Sequence, residues 1–492
     1  MPTVPEILRQ NALREPGREA LVGSGHRWTW AQVDADVDRR TAALQARGVR
    51  RGDRCAIMAA NSPEHVLTFY AALRAGAIAV PVNARLAAPE VVHVLRDSGS
   101  TTLVADAAHL GVAQRAADAS ATPVLALEDL GLGTGAPPEP VALGEEDDAV
   151  ILYTSGTTGE AKGVLHDHHR LLWTGLSQLP VCGFGDAERY LHIAPLYHGS
   201  GITFITAMTV VAGCQVVLPA FDPPRVLDAM EQERITAFLG VPTMVQMLLR
   251  LPDLTRRDLH AWRVLVFGAA PMPPSVIRTL DEVLPQVQLI QQCGQTEAGP
   301  NGIYADDGDT RLRPEASGRK AMPFLTARVV GEDGQVVPPG GVGELVFRGT
   351  TVMKGYWGRP EATAEVLRDG WLHTGDLVRL DPDGFMTVVD RMKDMILTGG
   401  RNVYCVEVEQ ALAQHPDVQD CAVLGRADDT WGESIIAVVT PREGTTVSTA
   451  QLRDHARALI ADYKLPHHVV IAPVPRNAAG KVLKRELRAL LA

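Results

Sequence analysis

Tyr153-Thr154-Ser155-Gly156-Thr157-Thr158-Gly159-Glu160-Ala161-Lys162-Gly163-Val164 is the stretch that decides the fold. It gathers three glycines, four Ser/Thr hydroxyls and one lysine. The apolar run Ala149-Val150-Ile151-Leu152 just before it predicts a buried strand. A strand that opens into such a loop suits phosphate. Glycines let backbone N–H groups approach the oxygens, hydroxyls donate further bonds, and the lysine adds positive charge. A flexible linker of this composition seldom follows a buried strand. The order differs from the common nucleotide loop, which has glycine directly before its lysine and Ser or Thr directly after it. Here Ala161 precedes Lys162 and Gly163 follows.

The chain has 492 residues, enough for two to four domains. Its 46% hydrophobic and 21% charged residues are ordinary globular composition. The formal net charge of −11 argues against a nucleic-acid binder. Six scattered cysteines without a C-x-x-C pair suggest reduced thiols in a cytoplasmic protein. The start lacks a basic segment followed by an apolar run, so no signal peptide is expected. No apolar run approaches the roughly 20 residues of a membrane span.

Outward from the loop, Thr29 is placed to cap a helix carrying Val33, Val37 and Leu44 on one face and stopping at Gly48. Residues 55–59 predict a strand. The Gly/Pro-rich segment 131–140 contains Gly131-x-Gly133-x-x-Ala136, a formal dinucleotide fingerprint, but Pro137 and Pro138 deny it a helix and it reads as a surface loop. From about 214 to 292 strands and helices alternate: strands at 215–218, 236–239, 263–267 and 287–290, helices at 224–232, 243–250 and 274–283. Such alternation implies a parallel sheet with ligand sites at the strand ends. Between 315 and 390 short strands with Gly/Pro turns suggest a small β subdomain. A mixed tail of about 100 residues follows, enough for a small further domain.

Four more segments carry candidate chemistry. Gly294-Gln295-Thr296-Glu297 puts a carboxylate after a strand. Trp371-Leu372-His373-Thr374-Gly375-Asp376 presents another, whose two oxygens can accept from two hydroxyls at once. Asp390-Arg391-Met392-Lys393-Asp394 leads to Gly399-Gly400, and Pro475 leads through Gly480 to Lys481. The run His166-Asp167-His168-His169 does not have standard zinc spacing.

In this order the five segments resemble the adenylate-forming superfamily, which includes acyl- and aryl-CoA ligases, luciferases and peptide-synthetase adenylation domains. The resemblance spans 153–481. It implies an α/β fold: a large N-terminal domain (1–390) of parallel α/β sheets with a small β-barrel subdomain, a hinge at 391–394 and a mobile α+β lid (395–492). It further implies that Thr154, Ser155, Gly156, Thr157, Thr158, Gly159 and Lys162 hold the ATP phosphates, with Thr154 and Glu297 on Mg²⁺. Gly268, Ala269, Ala270, Gln291, Gln292, Cys293, Gly294 and Thr296 would wall the nucleotide, and Gln291 would reach the adenine amino group. Asp376 would accept from the ribose hydroxyls and Arg391 would touch the ribose and phosphate side. Lys393 would be the hinge. Lys481 would bridge the substrate carboxylate and α-phosphate as charge grows there. Cys293 replaces the family's usual aromatic residue before Gly294, and Asn477 stands where Thr is frequent.

The stretch Pro195-Leu196-Tyr197-His198-Gly199-Ser200-Gly201 resembles the family's acid pocket, with His198 as gate and Gly199, Thr203, Gly268 and Gln292 as walls. Amino-acid-activating relatives carry aspartate where this chain has Gly199, so an α-ammonium would stand uncompensated here. The glycines at 199, 201 and 268 are expected to leave room for a ring or a chain. The resemblance therefore implies an enzyme that uses ATP, Mg²⁺ and CoA to convert a carboxylic acid to acyl-AMP and then to a thioester, as a monomer or homodimer. The alternatives are an adenylating enzyme that passes its acyl group to a carrier protein or a nitrogen nucleophile, and a nucleotide-binding protein without chemistry.

Overall fold

The computed structural model describes residues 2–132, 135–154, 161–268, 272–392, 394–399, 401–428, 430–476 and 482–491. Two compact units emerge from the packing. The larger comprises Met1–Ser155, Ala161–Ala327 and Phe347–Leu372; the smaller includes Arg328–Val346 and His373–Ala492. The second unit thus begins in sequence well before residue 391.

The larger unit holds two sheets. The first has nine strands in the order Lys320–Ala321, Asn301–Ala305, Gln288–Gln295, Val264–Gly268, Ala237–Gly240, Arg189–His192, Cys214–Val217, Glu19–Gly23 and His26–Thr29. Its central six strands are parallel, and antiparallel strands close both edges. The second has seven strands: Gly355–Tyr356, Lys162–Asp167, Asp148–Thr154, Ile78–Pro81, Arg54–Met58, Thr102–Ala105 and Val124–Ala126. Asp148–Thr154 is parallel to Ile78–Pro81 but antiparallel to Lys162–Asp167. Thr154 faces Lys162 at the last rung of that hairpin, so the Gly/Ser/Thr loop joins the two.

Helix Trp30–Ala46 starts at Thr29, whose hydroxyl accepts from Gln32 N (3.4 Å) while the Gln32 side chain accepts from Thr29 N (2.9 Å). Such reciprocal caps stabilise a helix by about 1 kcal/mol. The left-handed turn at Gly48 (φ 93°) follows. Helix Leu127–Leu132 takes in Gly131, so the segment expected as loop begins with a helix end.

The nine-stranded sheet is covered on both faces, and strand alternation decides which residue meets which cover. On one face Val264, Val266 and Ile290 pack with Phe204, Ala207 and Met208 of helix Gly199–Val210 and with Cys182 of helix His168–Cys182. On the other, Leu265, Phe267 and Leu289 pack with Val226 and Leu227 of helix Pro223–Gln232, Val245 of Pro242–Leu249 and Ile277 of Pro274–Val283. The two helices of the first face meet closely: a side chain on Gly175 would lie 2.9 Å from Ala207 N.

A third sheet stands where the small β-barrel subdomain is expected. Its five strands include Val342–Gly349, Trp371–Leu380 and Met386–Arg391. In the smaller unit the last two pair antiparallel with Asp376 opposite Arg391. A fourth, five-stranded sheet surrounds Gly432–Pro441, with helices Cys405–Ala413 and Thr449–Arg457 closing its core.

Candidate active site

In the larger unit, the mouth of the Thr154–Lys162 hairpin meets two groups far away in sequence. The Lys162 ammonium lies over the Tyr356 ring, 4.9 Å from its centroid. The Tyr356 hydroxyl donates to Glu297 Oε1 at 2.9 Å. Tyr356 reaches this place because Gly355–Tyr356 adds an edge strand to Lys162–Asp167, opposite Leu165 and Val164. A hydrogen bond to a carboxylate contributes about 1.5–3 kcal/mol, against about 0.5–1 for a wet cation–π contact. The Glu297 bond therefore fixes the tyrosine, and the lysine rests on it.

Glu297 is held from behind as well. It lies in the short helical turn Thr296–Ala298, whose Thr296 O accepts from His166 Nε2 (3.0 Å). A carbonyl only accepts, so Nε2 carries a proton. Burial keeps the imidazole neutral, pushing the His166 pKa down to about 3. Met353 N donates to Glu297 O (2.9 Å) and the Thr351 hydroxyl to Ala298 O (2.7 Å). Of the remaining His-rich run, Asp167 caps helix His168–Cys182 by accepting from Arg170 N (2.8 Å), and His168 is buried with its pKa lowered to about 4.

The strand preceding Glu297 runs further than expected, to Gln295 rather than 290. Antiparallel pairing with Asn301–Ala305 supplies the extra rungs, which the polar sequence Gln291-Gln292-Cys293-Gly294-Gln295 hides from an apolar-run reading. Alternation puts Gln291 and Cys293 on one face and Gln292 on the other. Gln291 Oε1 is buried without a hydrogen-bond partner among the described residues. An orphaned acceptor costs about 1–3 kcal/mol, so it fits a ligand that brings an amino donor. Cys293 is half-buried. On the opposite face Gln292 Nε2 donates to Gln178 Oε1 at 2.7 Å.

His198 stands at the N-cap of helix Gly199–Val210, its ring 4.8 Å from that of Tyr197. The buried Thr203 hydroxyl donates to Gly199 O (3.0 Å). The expectation that Gly199, Gly201 and Gly268 leave open space is overturned. A side chain at 199 would run into the Pro300 ring, and one at 268 into Gln292 O. At 201 it would stand 2.7 Å from Leu196 Cα. These glycines permit close packing and their missing side chains leave no void.

In the smaller unit Arg391 Nε and Asp376 Oδ1 form an ion pair at 2.5 Å across their strands. The turn ahead of Asp376 is braced by Glu344, which accepts from Gly375 N (2.9 Å) and contacts His373 Nδ1 (2.7 Å). Gly375 has φ 70°, which favours glycine. Asp394 is drawn to Lys484 (3.4 Å) and Arg488 (3.3 Å) of helix Lys484–Leu490. Ser155, Gly156, Thr157, Thr158, Gly159, Ala269, Ala270, Lys393, Gly400 and Lys481 lie outside the described residues.

Tyr356, Gln178 and Glu344 carry no signal in the sequence, and His166 stands out there only as part of a histidine-rich run, with nothing to link it to Thr296. Each is one polar residue in an ordinary element, and only the fold brings it to its partner.

A model of the AMP-binding enzyme family matches residues 8–357, and that of the AMP-binding enzyme C-terminal domain matches 407–481. The chain is 40% identical to a feruloyl-CoA synthase of Amycolatopsis sp over 97% of both chains. It is 36% identical to the indoleacetate–CoA ligase of Aromatoleum aromaticum, over 99% of this chain and 98% of that one. The o-succinylbenzoate CoA synthetase of Bacillus subtilis, solved with its acyl-adenylate intermediate, superposes with a TM-score of 0.92 at 30% identity, covering 99% of each chain. The same synthetase solved with ATP and magnesium ion gives 0.89 at 29% identity, covering 98% of this chain and 99% of that one. The chain belongs to the AMP-binding enzyme family. Within it, the protein is an AMP-forming acid–thiol ligase.

Proposed function

We propose that this ligase acts on an aromatic or arylalkyl carboxylic acid without an α-amino group. The protein joins the acid to AMP with release of pyrophosphate and passes the acyl group to the thiol of CoA. Its cosubstrates are ATP, with Mg²⁺, and CoA. The observation that carries the reading is the Lys162–Tyr356–Glu297 cluster at the mouth of the Gly/Ser/Thr hairpin. It sets one cation and one anion at the end of the strands that the phosphate-suited sequence connects, as a metal–triphosphate ligand requires.

In this reading Glu297, with Thr154, would hold Mg²⁺, and Lys162 and the loop residues would hold the phosphates. Gln291 would take the adenine amino group on its orphaned oxygen. Asp376 would accept from the ribose and Arg391 would lie beside it. Lys481 would neutralise charge developing at the α-phosphate, and Lys393 would let the C-terminal segment turn between the half-reactions. Gln292, His198 and the start of helix Gly199–Val210 would line the acid site.

Two features support the acid class. Position 199 cannot carry a carboxylate beside Pro300, so an α-ammonium would have no partner there, and a buried unpaired charge costs several kcal/mol. The two relatives reported by sequence are named for feruloyl and indoleacetate, both aromatic. A carrier protein or nitrogen acceptor has less support, because the relatives are named as CoA ligases. Among the described residues no helix is long and apolar enough to cross a membrane; we place the enzyme in the cytoplasm as a monomer or homodimer. The test is pyrophosphate release, with and without CoA, across aryl, arylalkyl, aliphatic and α-amino acids. Aryl acids should give CoA-dependent turnover, with phenylpropanoate exceeding phenylalanine by on the order of a hundredfold in kcat/KM. A preference for phenylalanine overturns the reading.

A further inference from the structure

Gln292 does not stand alone on its face of the sheet. Its Nε2 donates to Gln178 Oε1 (2.7 Å), Gln178 Nε2 to Asn301 Oδ1 (3.1 Å), and Asn301 Nδ2 to Ser177 Oγ (2.9 Å). The Ser177 hydroxyl donates to the backbone oxygen of Thr174 (2.6 Å). Gln178, Asn301 and Ser177 are all buried.

The direction of this relay is forced from its buried end. A backbone carbonyl only accepts, and a serine hydroxyl has one proton, so Ser177 spends it on Thr174 O and must accept from Asn301. Asn301 therefore turns its oxygen to Gln178, and Gln178 turns its oxygen to Gln292. Cys182 Sγ, 3.9 Å from that same Gln178 oxygen, supplies a second donor to it. Gln292 is then obliged to put its amide nitrogen on Gln178. Its carbonyl oxygen is the end left to face away from the relay, on a half-buried side chain.

We infer that the acid carries a hydrogen-bond donor on its ring system, a hydroxyl or a ring N–H, which Gln292 Oε1 accepts. The inference rests on the proposed function, in which Gln292 lines the acid site. The placement agrees: Gln292 continues the face on which Ile290 packs with helix Gly199–Val210, and the relay runs through helix His168–Cys182 beside it. Nothing else in the relay could reverse the amide without stranding a buried polar atom. Gln178 is thus a positioning residue and Gln292 the specificity-determining one.

Matched acids test this. The full-length enzyme is assayed by pyrophosphate release with 3-(4-hydroxyphenyl)propenoate against its 4-methoxy ether, and with indole-3-acetate against benzothiophene-3-acetate. At least one donor-bearing acid should exceed its partner by roughly ten- to a hundredfold in kcat/KM, mostly through KM. In Gln292→Leu that ratio should fall to within about twofold of one. In Gln178→Leu, which frees the Gln292 amide to turn, it should fall partway; a purely structural role would slow both members equally and leave the ratio intact. Wild-type ratios near one, with both aryl acids turned over, overturn the donor inference and leave the aryl reading standing. Turnover of aliphatic acids alone overturns both.

Discussion

Tyr356 joins a lysine and a glutamate through its ring face and its hydroxyl, and one oxygen atom separates the two roles. Tyr356→Phe keeps the surface under Lys162 and removes the bond to Glu297. Pyrophosphate formation should fall about tenfold, with the Mg²⁺ dependence moved to higher concentration, while attack of CoA on supplied acyl-adenylate is spared. An unmoved Mg²⁺ curve would show that the bond does not hold Glu297. Lys481→Ala should lower pyrophosphate formation by about two to four orders of magnitude and also spare the supplied adenylate; pyrophosphate exchange near wild type would remove that lysine from the first half-reaction. Gly199→Ala should lower stability by about 1–3 kcal/mol through overpacking on Pro300. Urea unfolding checks it, and Pro300→Ala in the same chain should recover part of the loss. Glu297 stands out in the sequence because its run has a meaning of its own, and the structure adds the Tyr356 hydroxyl that it accepts from. The glycines were misread for the opposite reason: a missing side chain looks like space until the fold shows that Pro300, Leu196 and Gln292 O already fill it.

At the scale of elements, the strand–helix alternation between 214 and 292 gave the parallel sheet nearly residue for residue, because apolar runs of four or five residues there are fully buried. The strand Gln288–Gln295 was cut short at 290. Its second half is polar, with Gln292 bonded to the Gln178 amide where an apolar residue would meet hydrocarbon, and its pairing partner Asn301–Ala305 lies beyond a turn with no apolar signal. The edge strand Gly355–Tyr356 was invisible for a related reason: two residues have no period. The hinge proposed at Lys393 has a kinetic test. Proline fixes φ, so Lys393→Pro should let acyl-adenylate form and stop thioester formation. Rapid-quench separation of the half-reactions decides it, and equal loss of both would remove Lys393 from that role.

Across the whole molecule, four histidines among the described residues are buried in the larger unit: His65, His166, His168 and His192, with pKa values lowered to about 4, 3, 4 and 4 by desolvation. Each stays neutral when folded and takes a proton near pH 6.5 when unfolded. Above about 6.5 they cost nothing. As pH falls from there towards 4, the unfolded chain binds more protons and stability drops by about 1.4 kcal/mol per pH unit per histidine. Burial raises the pKa of Asp390 and Glu409 in the smaller unit, which acts in the opposite sense at acid pH. Unfolding free energy measured against pH should therefore slope downward below about 6.5. His166→Asn should flatten that slope by about one proton's worth, and an unchanged slope would show that His166 is charged when folded.

Gln292 and Cys293 share a peptide bond, yet the pleat sends their side chains to opposite faces of the sheet, of which one is covered along its apolar part by helices His168–Cys182 and Gly199–Val210 and the other by helices Pro223–Gln232 and Pro274–Val283. Heredity can therefore edit the two sides separately. A lineage can change the even-numbered positions of this strand and leave the odd-numbered ones as they are. A single-codon deletion inside it would exchange the two sets at once, so drift by substitution is open to this enzyme and drift by slippage is closed.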